Sequence, residues 1–296
     1  MPVGSLVQRH ERSSFTATRY SRVWFITGCS SGFGRAFAEA VIAHGDSLIA
    51  TARNVETLQE LVAHAPDRVL ATALDVTDEF SISNAVSQSI TRFGRIDVLV
   101  NNAGFGLTGA IEEVSDDEWQ RLFATNVFGL AAVTRAVLPQ MRVQRNGHIF
   151  NISSIAGVSG SAGLGAYSAS KFAVEGLSEA LSGEVAPLGI KVTIVEPGGF
   201  RTQWAGRSMQ QAARQMNAYA QSSGRLRQVW SQFSGRQAGD PARAAAVLIK
   251  VAESSQPPLH LALGGDAVAG IQDSLQYRFR DLQTWQRESL STDFPE

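Results

Sequence analysis

The stretch Val23-Trp-Phe-Ile-Thr-Gly-Cys-Ser-Ser-Gly-Phe-Gly34 decides the fold of this chain. It begins as an apolar run of strand length and ends where the pattern predicts a helix over Phe33–His44. Gly28 permits a tight turn, Gly32 lets a phosphate approach the backbone, and Gly34 lets the helix close on the strand. Free N–H groups at a helix start attract anions. Glycines in this context predict the phosphate-binding turn of a dinucleotide site.

Beyond this turn, apolar runs of strand length alternate with helical patterns. The predicted strands are Val23–Thr27, Ser47–Thr51, Val69–Leu74, Ile96–Val100, His148–Ile152, Lys191–Val195 and Leu259–Leu263. The predicted helices are Phe33–His44, Glu56–Ala63, Glu79–Phe93, Asp117–Arg142, Tyr167–Ala186 and Pro241–Ala252. Near-continuously apolar strands are typical of a parallel sheet covered on both faces. The pattern predicts an α/β fold: a single doubly wound Rossmann-type domain with a seven-stranded parallel sheet flanked by helices.

Length and composition set limits on the class of protein. A chain of 296 residues with 44% hydrophobic residues can bury one large core, so we expect one domain over residues 22–296. Residues 1–21 lack the apolar core of a secretory signal, and we expect them to form a disordered tail. The net charge of −1, without a long basic run, argues against a nucleic-acid partner.

Cysteine usage and hydropathy argue against further classes. The single cysteine, Cys29, cannot form an internal disulfide and disfavours a structural zinc site. No apolar stretch approaches the roughly 18 to 20 residues that a membrane span needs. The histidines show no metal-ligand spacing, so we expect no metal: His10, His44, His64, His148 and His260. These features favour a cytoplasmic protein.

Tyr167 and Lys171 lie four residues apart in Gly165-Ala-Tyr-Ser-Ala-Ser-Lys-Phe-Ala173. This spacing places the phenol and the ammonium on one face of a predicted helix. A free tyrosine has a pKa of about 10, and a nearby cation lowers it toward neutrality. Ser154, in Ile152-Ser-Ser-Ile155, could offer its hydroxyl to the same substrate oxygen. The pair suits proton transfer, although the same spacing also occurs in solvated surface pairs.

The glycine-rich turn also fits a second motif. Gly28-Cys-Ser-Ser-Gly32 matches the Gly-x-Ser-x-Gly nucleophile elbow of serine hydrolases. Such an elbow follows a central strand that several others precede, whereas this one follows the first strand. No Asp and His stand out downstream in the required order. A hydrolase is therefore disfavoured.

Ala50-Thr-Ala-Arg-Asn54 ends the second predicted strand. Ala52 stands where an acidic residue would hold the ribose of NAD, and Arg53 could pair with a 2′-phosphate. NADP(H) is favoured over NAD(H), although an arginine at a strand end could also be simply solvated.

The segment Gln203 to Gly239 interrupts the alternation before the last strand. Its apolar residues approximate helical spacing: Met209, Ala212, Ala213, Met216 and Tyr219. We expect a helical substrate lid over residues 203–239, because the segment follows the carboxyl end of a strand; a peripheral helical insertion is the alternative. A C-terminal extension over residues 266–296 is predicted to be helical through Ser289.

Together these motifs resemble the classical short-chain dehydrogenase/reductase family over residues 22–202. The shared motifs are Thr27-Gly-x-x-x-Gly-x-Gly34, Asp75-Val76, Asn101-Asn-Ala-Gly104, Asn126, Ser154, Tyr167-x-x-x-Lys171, and Pro197-Gly198 with Thr202. Ala-Arg-Asn after the second strand, Glu196-Pro-Gly-Gly-Phe-Arg-Thr202 and the C-terminal extension resemble a 17β-hydroxysteroid-dehydrogenase-like branch.

The resemblance implies a role for each motif residue. Tyr167 is the expected general acid/base, Lys171 lowers its pKa and binds the nicotinamide ribose, and Ser154 holds the substrate oxygen. Asn126 is expected to fix a water that links Lys171 to solvent, or instead to cap local backbone. Asn102 and its neighbour Asn101 also suit stabilisation of the central sheet. The expected cofactor-binding residues are Gly28, Ser30, Ser31, Gly32, Phe33, Gly34, Arg53, Asp75, Val76, Asn102, Ala103, Gly104, Tyr167, Lys171, Pro197, Gly198 and Thr202.

The implied activity is an NADP(H)-dependent oxidoreductase that interconverts a carbonyl and an alcohol by hydride transfer. Apolar candidates for substrate contacts favour a hydrophobic ketone or alcohol, with ordinary packing as the alternative for each: Phe105, Leu107, Val158, Leu164, Phe200 and Trp204. The alternative hypothesis is a catalytically silent NADP(H)-sensing regulatory protein. It is disfavoured because the reactive residues are intact: Ser154, Tyr167 and Lys171. The family commonly forms dimers or tetramers, so a homo-oligomer is possible, but the C-terminal extension leaves the oligomeric state open.

Overall fold

The computed structural model describes residues 21–202, 208–233 and 235–294. Its strands are β1 (Val23–Ile26), β2 (Ser47–Ala52), β3 (Val69–Ala73), β4 (Val98–Asn101), β5 (Gly106–Thr108), β6 (Gly147–Ile152), β7 (Ile190–Pro197), β8 (Met209–Gln211) and β9 (His260–Leu263). Its α-helices are α1 (Gly32–His44), α2 (Gln59–His64), α3 (Glu79–Phe93), α4 (Asp116–Phe123), α5 (Leu130–Gln144), α6 (Gly165–Val185), α7 (Arg225–Phe233), α8 (Pro241–Glu253), α9 (Gly265–Thr284) and α10 (Gln286–Leu290). Residues 1–20 of the predicted tail lie outside this description.

Seven strands form one parallel sheet in the order β3-β2-β1-β4-β6-β7-β9. Ile26 of β1 lies beside Ala50 of β2 and Val100 of β4, so the three strands end close together. The strand order reverses between β1 and β4. Open α/β sheets bind ligands in the crevice at such a switch point, beyond the carboxyl ends of the strands. The predicted fold class is confirmed.

Helices bury both faces of the sheet. Ile26 points into a core cluster that includes Phe37 of α1 and Leu248 of α8. Its neighbour Phe25 points into a second cluster, which includes Val133 of α5 and further residues of α3 and α6. Because both faces of each central strand are covered, the strands appear in the sequence as continuous apolar runs.

Two predicted helices differ from the structure in detail. The segment predicted as one helix over Asp117–Arg142 consists of α4, a π-helical turn at Ala124–Gly129 and α5, one directly after another. The segment predicted over Glu56–Ala63 starts as a 3₁₀ turn at Val55–Leu58 before α2 begins. Apolar periodicity does not distinguish these helix types over so few residues, because each places similar positions on one face.

The combined helix Asp116–Gln144 is long and apolar enough to cross a membrane by length and composition alone. In the fold, its buried residues Val133, Val137 and Met141 belong to the core cluster beneath the sheet. A core helix passes the same length and composition test, so this helix is weak evidence for a membrane span.

The predicted lid over residues 203–239 contains a strand as well as helices. Residues 208–233 and 235–239 belong to the described part of the chain, and β8 pairs in parallel with β5 in a separate two-stranded sheet. The spacing of Met209 through Tyr219 therefore does not correspond to one helix, because pairing with β5 holds residues 209–211 extended. Within the described residues of the lid, regular α-helix forms only at α7.

The C-terminal extension forms α9 and α10. Near its start Ala267 is fully buried, and further along the hydroxyl of Ser274 donates to the carbonyl of Val158 at 3.2 Å. Arg278 lies over the ring of Phe172, 5.3 Å from its centroid. From Leu275 to Phe294 the side chains are exposed.

Candidate active site

A cleft of about 1190 Å³ lies beyond the carboxyl ends of the central strands. The turns after these strands line one wall, and residues of the lid line the other: Ser208, Gln210, Leu226, Val229, Trp230 and Gln237. Pockets for drug-sized ligands are typically about 300–1,000 Å³. The cleft therefore has room for a dinucleotide and a second small molecule.

Most predicted site residues line this single cleft: Gly28, Ser30, Ser31, Gly32, Phe33, Arg53, Asp75, Val76, Asn102, Ala103, Gly104, Phe105, Ser154, Leu164, Tyr167, Lys171, Pro197, Gly198, Phe200 and Thr202. Gly34, Leu107, Asn126 and Val158 do not line it. Leu107 is buried in an apolar cluster with Leu122 and Ala212, which is the packing alternative considered above. The predicted substrate residue Trp204 lies outside the described residues.

The turn after β1 depends on the absence of side chains. Gly28 and Gly32 have φ angles of 74° and 59°, in the left-handed region that favours glycine. A Cβ on Gly34 would lie 2.2 Å from the carbonyl oxygen of Gly28 and 2.5 Å from Nδ2 of Asn102. Helix α1 can therefore begin this close to the strand only because position 34 carries no side chain.

Asn102 connects the end of β4 to the glycine turn. Its Nδ2 donates to the carbonyl oxygens of Thr27 at 2.8 Å and Gly28 at 3.2 Å, and its own N–H donates to the Thr27 hydroxyl at 2.9 Å. Asn101 points elsewhere and donates to the hydroxyl of Thr134 at 2.9 Å. Asn101 therefore supports the sheet, whereas Asn102 both supports the turn and lines the cleft.

Arg53 and Asp75 lie at the end of the cleft formed by β2 and β3. Asp75 Oδ1 accepts from the hydroxyl and the N–H of Thr77 at 2.7 and 2.9 Å. These two hydrogen bonds lower the pKa of Asp75, and the positive charge of Arg53 lowers it further against the opposing effect of burial. An ionised carboxylate and an exposed guanidinium thus face the same part of the cleft.

Tyr167 lies in the first turn of α6 and is 4% exposed. It packs with Leu164 and with Leu226 and Trp230 of the lid. Burial raises the pKa of the phenol, and a hydrogen bond with Ser154 opposes this rise. The structure therefore brings the Tyr167 and Ser154 hydroxyls together at one point of the cleft.

Lys171 lies one turn beyond Tyr167 and is also buried. Its Nζ is 5.8 Å from the centroid of the Tyr167 ring and donates to the carbonyl of Ile152 at 2.7 Å. Burial lowers the pKa of Lys171 to about 8, and the charge of Glu175 opposes this effect. Burial is therefore the main influence on the pKa of Tyr167 in this structure, and the Lys171 ammonium is held by the Ile152 carbonyl. The expected effect of Lys171 on this pKa stays a prediction.

Asn126 lies in the π-helical turn between α4 and α5 and is 1% exposed. Its Oδ1 accepts from the N–H of Phe105 at 3.0 Å, and its Nδ2 donates to the carbonyl of Phe105 at 2.9 Å and to the Ser170 hydroxyl at 3.1 Å. Both amide hydrogens are therefore occupied. In this structure Asn126 fixes the Phe105 turn and part of α6, and its role in ordering a water stays a prediction.

The elbow motif does not have the surroundings of a hydrolase nucleophile. Ser30 lines the cleft, but no histidine does among the residues that the structure describes. Cys29 is fully buried, and burial raises the pKa of its thiol to about 12. Without a base next to Ser30 or an accessible thiolate, this turn is not suited to nucleophilic catalysis.

Two acidic residues that sequence reasoning missed shape the cleft. Asp266, at the start of α9, accepts from the N–H of Gly199 at 2.6 Å, and a Cβ on Gly198 would lie 2.3 Å from its Oδ1. Asp266 thus holds the turn after β7, and no local motif indicates a contact across so many residues.

Glu113 is the second missed residue, and its side chain is fully buried. It accepts from Arg227 at 2.8 Å, from the N–H of Met216 at 2.8 Å and from the Ser223 hydroxyl at 3.0 Å. These bonds, the Arg227 bond first, lower the pKa of Glu113 to about 2. Glu113 therefore holds the lid in place as a buried anion.

Comparison with known proteins gives a consistent result. The family model for short chain dehydrogenases matches residues 22–229. An oxidoreductase of Botryotinia fuckeliana is 41% identical over 273 residues, which cover 92% of this chain and 99% of the relative. A 3-ketodihydrosphingosine reductase of Bacteroides thetaiotaomicron is 39% identical over 248 residues, which cover 82% and 88% of the two chains.

Solved structures indicate the same family as these relatives. A short-chain dehydrogenase from Streptomyces avermitilis superposes with a TM-score of 0.88 at 48% identity and covers 93% of this chain and 100% of that chain. A member from Burkholderia phymatum in complex with NAD has a TM-score of 0.76 at 25% identity, with 89% and 95% covered. A serine dehydrogenase in complex with NADP+ has a TM-score of 0.69 at 29% identity, with 81% and 94% covered. The chain belongs to the short-chain dehydrogenase family and is an oxidoreductase of alcohol and carbonyl groups.

Proposed function

We propose that this chain is an NADP(H)-dependent oxidoreductase that interconverts a carbonyl and an alcohol on a hydrophobic small molecule. The observation that carries the proposal is the convergence of Ser154, Tyr167 and Lys171 on the cleft that also contains the Gly28–Gly34 turn. The hydrogen bond between Tyr167 and Ser154 places two hydroxyls where one substrate oxygen can contact both.

The glycine turn fits the pyrophosphate of a nicotinamide dinucleotide. Ser31 is the N-cap of α1 and makes no capping hydrogen bond to it within the described chain, so the first N–H groups of the helix are available to an anion. A Cβ on Gly32 would meet only the Thr202 side chain, at 3.8 Å, among the described atoms, which leaves space for a ligand. The NAD and NADP+ bound to the two distant relatives support the same assignment.

Arg53 favours NADP(H) over NAD(H). It follows β2 directly, where Ala52 has no group that could accept from a ribose hydroxyl. The nearest acidic candidate, Asp75, is already engaged by Thr77. An exposed guanidinium at this position matches the geometry and charge of a 2′-phosphate.

Tyr167 transfers the proton in both directions of the reaction. When bound, NADPH supplies a hydride to the carbonyl carbon. Because burial raises the pKa of Tyr167, the phenol is protonated at neutral pH and can donate its proton to the carbonyl oxygen. Ser154 stabilises the negative charge that develops on this oxygen. In alcohol oxidation Tyr167 accepts the proton instead.

Lys171 supports the deprotonated state of Tyr167. With a pKa of about 8, Lys171 is mostly charged at neutral pH, and the Ile152 carbonyl holds its ammonium beside the phenol. Once Tyr167 has donated its proton, this ammonium is the nearby positive charge that stabilises the phenolate.

The lid supports a hydrophobic substrate. Leu226, Val229 and Trp230 of α7 line the cleft, and the first and last of these pack near Tyr167. Phe105 and Leu164 line the cleft as well. An apolar wall next to two hydroxyls suits an apolar molecule with a single reacting oxygen. The Bacteroides relative is named as a reductase of a keto compound, 3-ketodihydrosphingosine.

Turnover of NADPH with a panel of ketones tests the proposal. We expect apolar cyclic or long-chain ketones to be reduced faster than sugar ketones, and NADPH to be used in preference to NADH. NADPH binding without turnover of any ketone or oxidation of any alcohol would instead indicate a regulatory protein. Ester cleavage that is lost in Ser30→Ala would indicate a hydrolase.

A further inference from the structure

Three potential metal ligands converge at the edge of the main sheet, away from the cleft. Glu175 of α6, Glu196 of β7 and His260 of β9 each place one ligand atom within 4.8 Å of the other two. His260 Nδ1 lies 2.7 Å from Glu196 Oε1 and 3.6 Å from Glu175 Oε2. None of the three lines the catalytic cleft.

Both carboxylates are buried, and that of Glu175 makes no hydrogen bond among the described residues. Glu196 is 3% exposed and Glu175 is 7% exposed. Neither oxygen of Glu175 has a hydrogen-bond partner within the described ranges. Buried carboxylates are normally hydrogen-bonded or bound to a metal ion, so both oxygens of Glu175 are available to an ion.

His260 is oriented as in known histidine–metal sites. Its Nδ1 faces Glu175 and Glu196, while its Nε2 faces Glu179 Oε1 at 3.6 Å. A histidine that binds a metal through one ring nitrogen almost always directs the other to a carboxylate, a carbonyl or water. Glu179 therefore lies where it can orient the ring.

We propose that Glu175, Glu196 and His260 form a zinc-binding site. One imidazole nitrogen and two carboxylate oxygens are donors that zinc accepts, with water as the fourth ligand. Ligands about 2.1 Å from the ion lie roughly 3.4 Å apart in a tetrahedron, so small side-chain rotations suffice. The imidazole favours zinc over magnesium or calcium. His260 is 45% exposed on its side chain, which gives the ion a path from solvent.

The site connects the catalytic helix to the edge of the sheet. Glu175 lies one turn beyond Lys171 on α6, while Glu196 and His260 belong to neighbouring strands. A shared ion would join these three elements and stabilise the folded chain. The sequence-based expectation of no metal considered histidine spacing along the chain, whereas these ligands come from three separate elements.

Zinc titration of the full chain, stripped of metal by a chelator, tests this site. Competition against a chromophoric zinc chelator measures affinity and stoichiometry, and thermal unfolding measures stabilisation. We expect one zinc per chain, a higher Tm with zinc, and at least about tenfold weaker binding in both Glu196→Gln and His260→Gln.

His44→Gln is the matched control. His44 also contacts two carboxylates, Asp46 at 3.1 Å and Glu253 at 3.2 Å, but through opposite ring nitrogens that cannot share one ion. This variant should bind zinc like the wild type, and all variants are checked for folding by circular dichroism.

Absence of saturable zinc binding in the wild type would overturn the proposal. Unchanged affinity in His260→Gln would also overturn it, and this half-exposed position decides the question if Glu196→Gln does not fold. Preferential binding of calcium would contradict the zinc assignment. The readout is metal binding, so its outcome is independent of the proposed oxidoreductase activity.

Discussion

The two walls of the cleft are built in different ways. The cofactor wall consists of turns directly after parallel strands, with Asn102 joining two of them. The lid wall consists of β8 and α7. About a hundred residues earlier in the chain, Glu113 in the loop before α4 accepts from Arg227 of α7, and Glu118 of α4 accepts from the N–H of Ala213 just after β8. Local motifs mark the turns of the first wall, although long-range bonds such as Asn102–Thr27 join them. The second wall has no such motifs and depends on buried long-range polar contacts. Changes to one wall should therefore leave the function of the other largely intact.

Removing Glu113 should have the largest effect, confined to the lid wall. Breaking a buried ion pair from one side costs about 3–5 kcal/mol, because Arg227 loses its partner. Glu113→Ala should raise KM for ketones and accelerate hydrogen exchange in β8 and α7, with little change in NADPH affinity. Glu112→Ala is the control, because its hydrogen bond with Tyr219 is exposed to solvent and should contribute little to stability. Equal effects of the two variants would contradict this account.

Acid should loosen the same wall. The pKa of Glu113 is lowered from 4.5 to about 2, so its stabilisation is complete above about pH 4.5 and is lost as the pH falls toward 2. Amide hydrogen exchange in the lid is compared at pH 5 and pH 3. In the wild type, protection of these amides relative to the intrinsic exchange rate should be lower at pH 3. Glu113→Gln should show less of this acid dependence, because only the contact of Glu118 with Ala213 then remains to be lost. An equally large dependence in Glu113→Gln would assign the effect to another group.

On the cofactor wall, Gly34→Ala should weaken NADPH binding and lower Tm. The new Cβ would lie 2.2 Å from a backbone oxygen, and overpacking of this kind costs typically about 1–3 kcal/mol. Gly183→Ala is the control, because its Cβ would meet no described atom within 4 Å and alanine favours a helix. Normal NADPH affinity in Gly34→Ala would disprove the close approach of α1 to the turn.

Arg53→Ala should have the smallest effect and a selective one. Loss of a charge-assisted contact to the 2′-phosphate should weaken NADPH binding by roughly tenfold and leave NADH binding nearly unchanged. Fluorescence titration with both cofactors measures the two affinities. Equal losses for both would place the guanidinium away from the 2′-phosphate.

The difference between the walls also explains what the sequence could predict. The seven main strands are apolar runs such as Val23–Ile26, and the motif residues lie just beyond them. The fold and the cofactor cleft could therefore be predicted from the sequence. The pairing of β5 with β8 could not be predicted, because each strand has three residues and the two lie about a hundred residues apart. Glu113 and Asp266 resemble ordinary surface acids in the sequence, since only tertiary contacts bury or engage them. The steroid-dehydrogenase-like branch stays a prediction.

Kinetics of Tyr167→Phe test the central claim most directly, because the change removes the phenolic hydroxyl and keeps the ring that packs against the lid. The account predicts that kcat for ketone reduction falls by at least about a hundredfold while NADPH affinity stays near the wild-type value. Tyr219→Phe, which loses an exposed hydroxyl, should retain full activity. A Tyr167→Phe protein that turns over at the wild-type rate would show that the proton comes from another group.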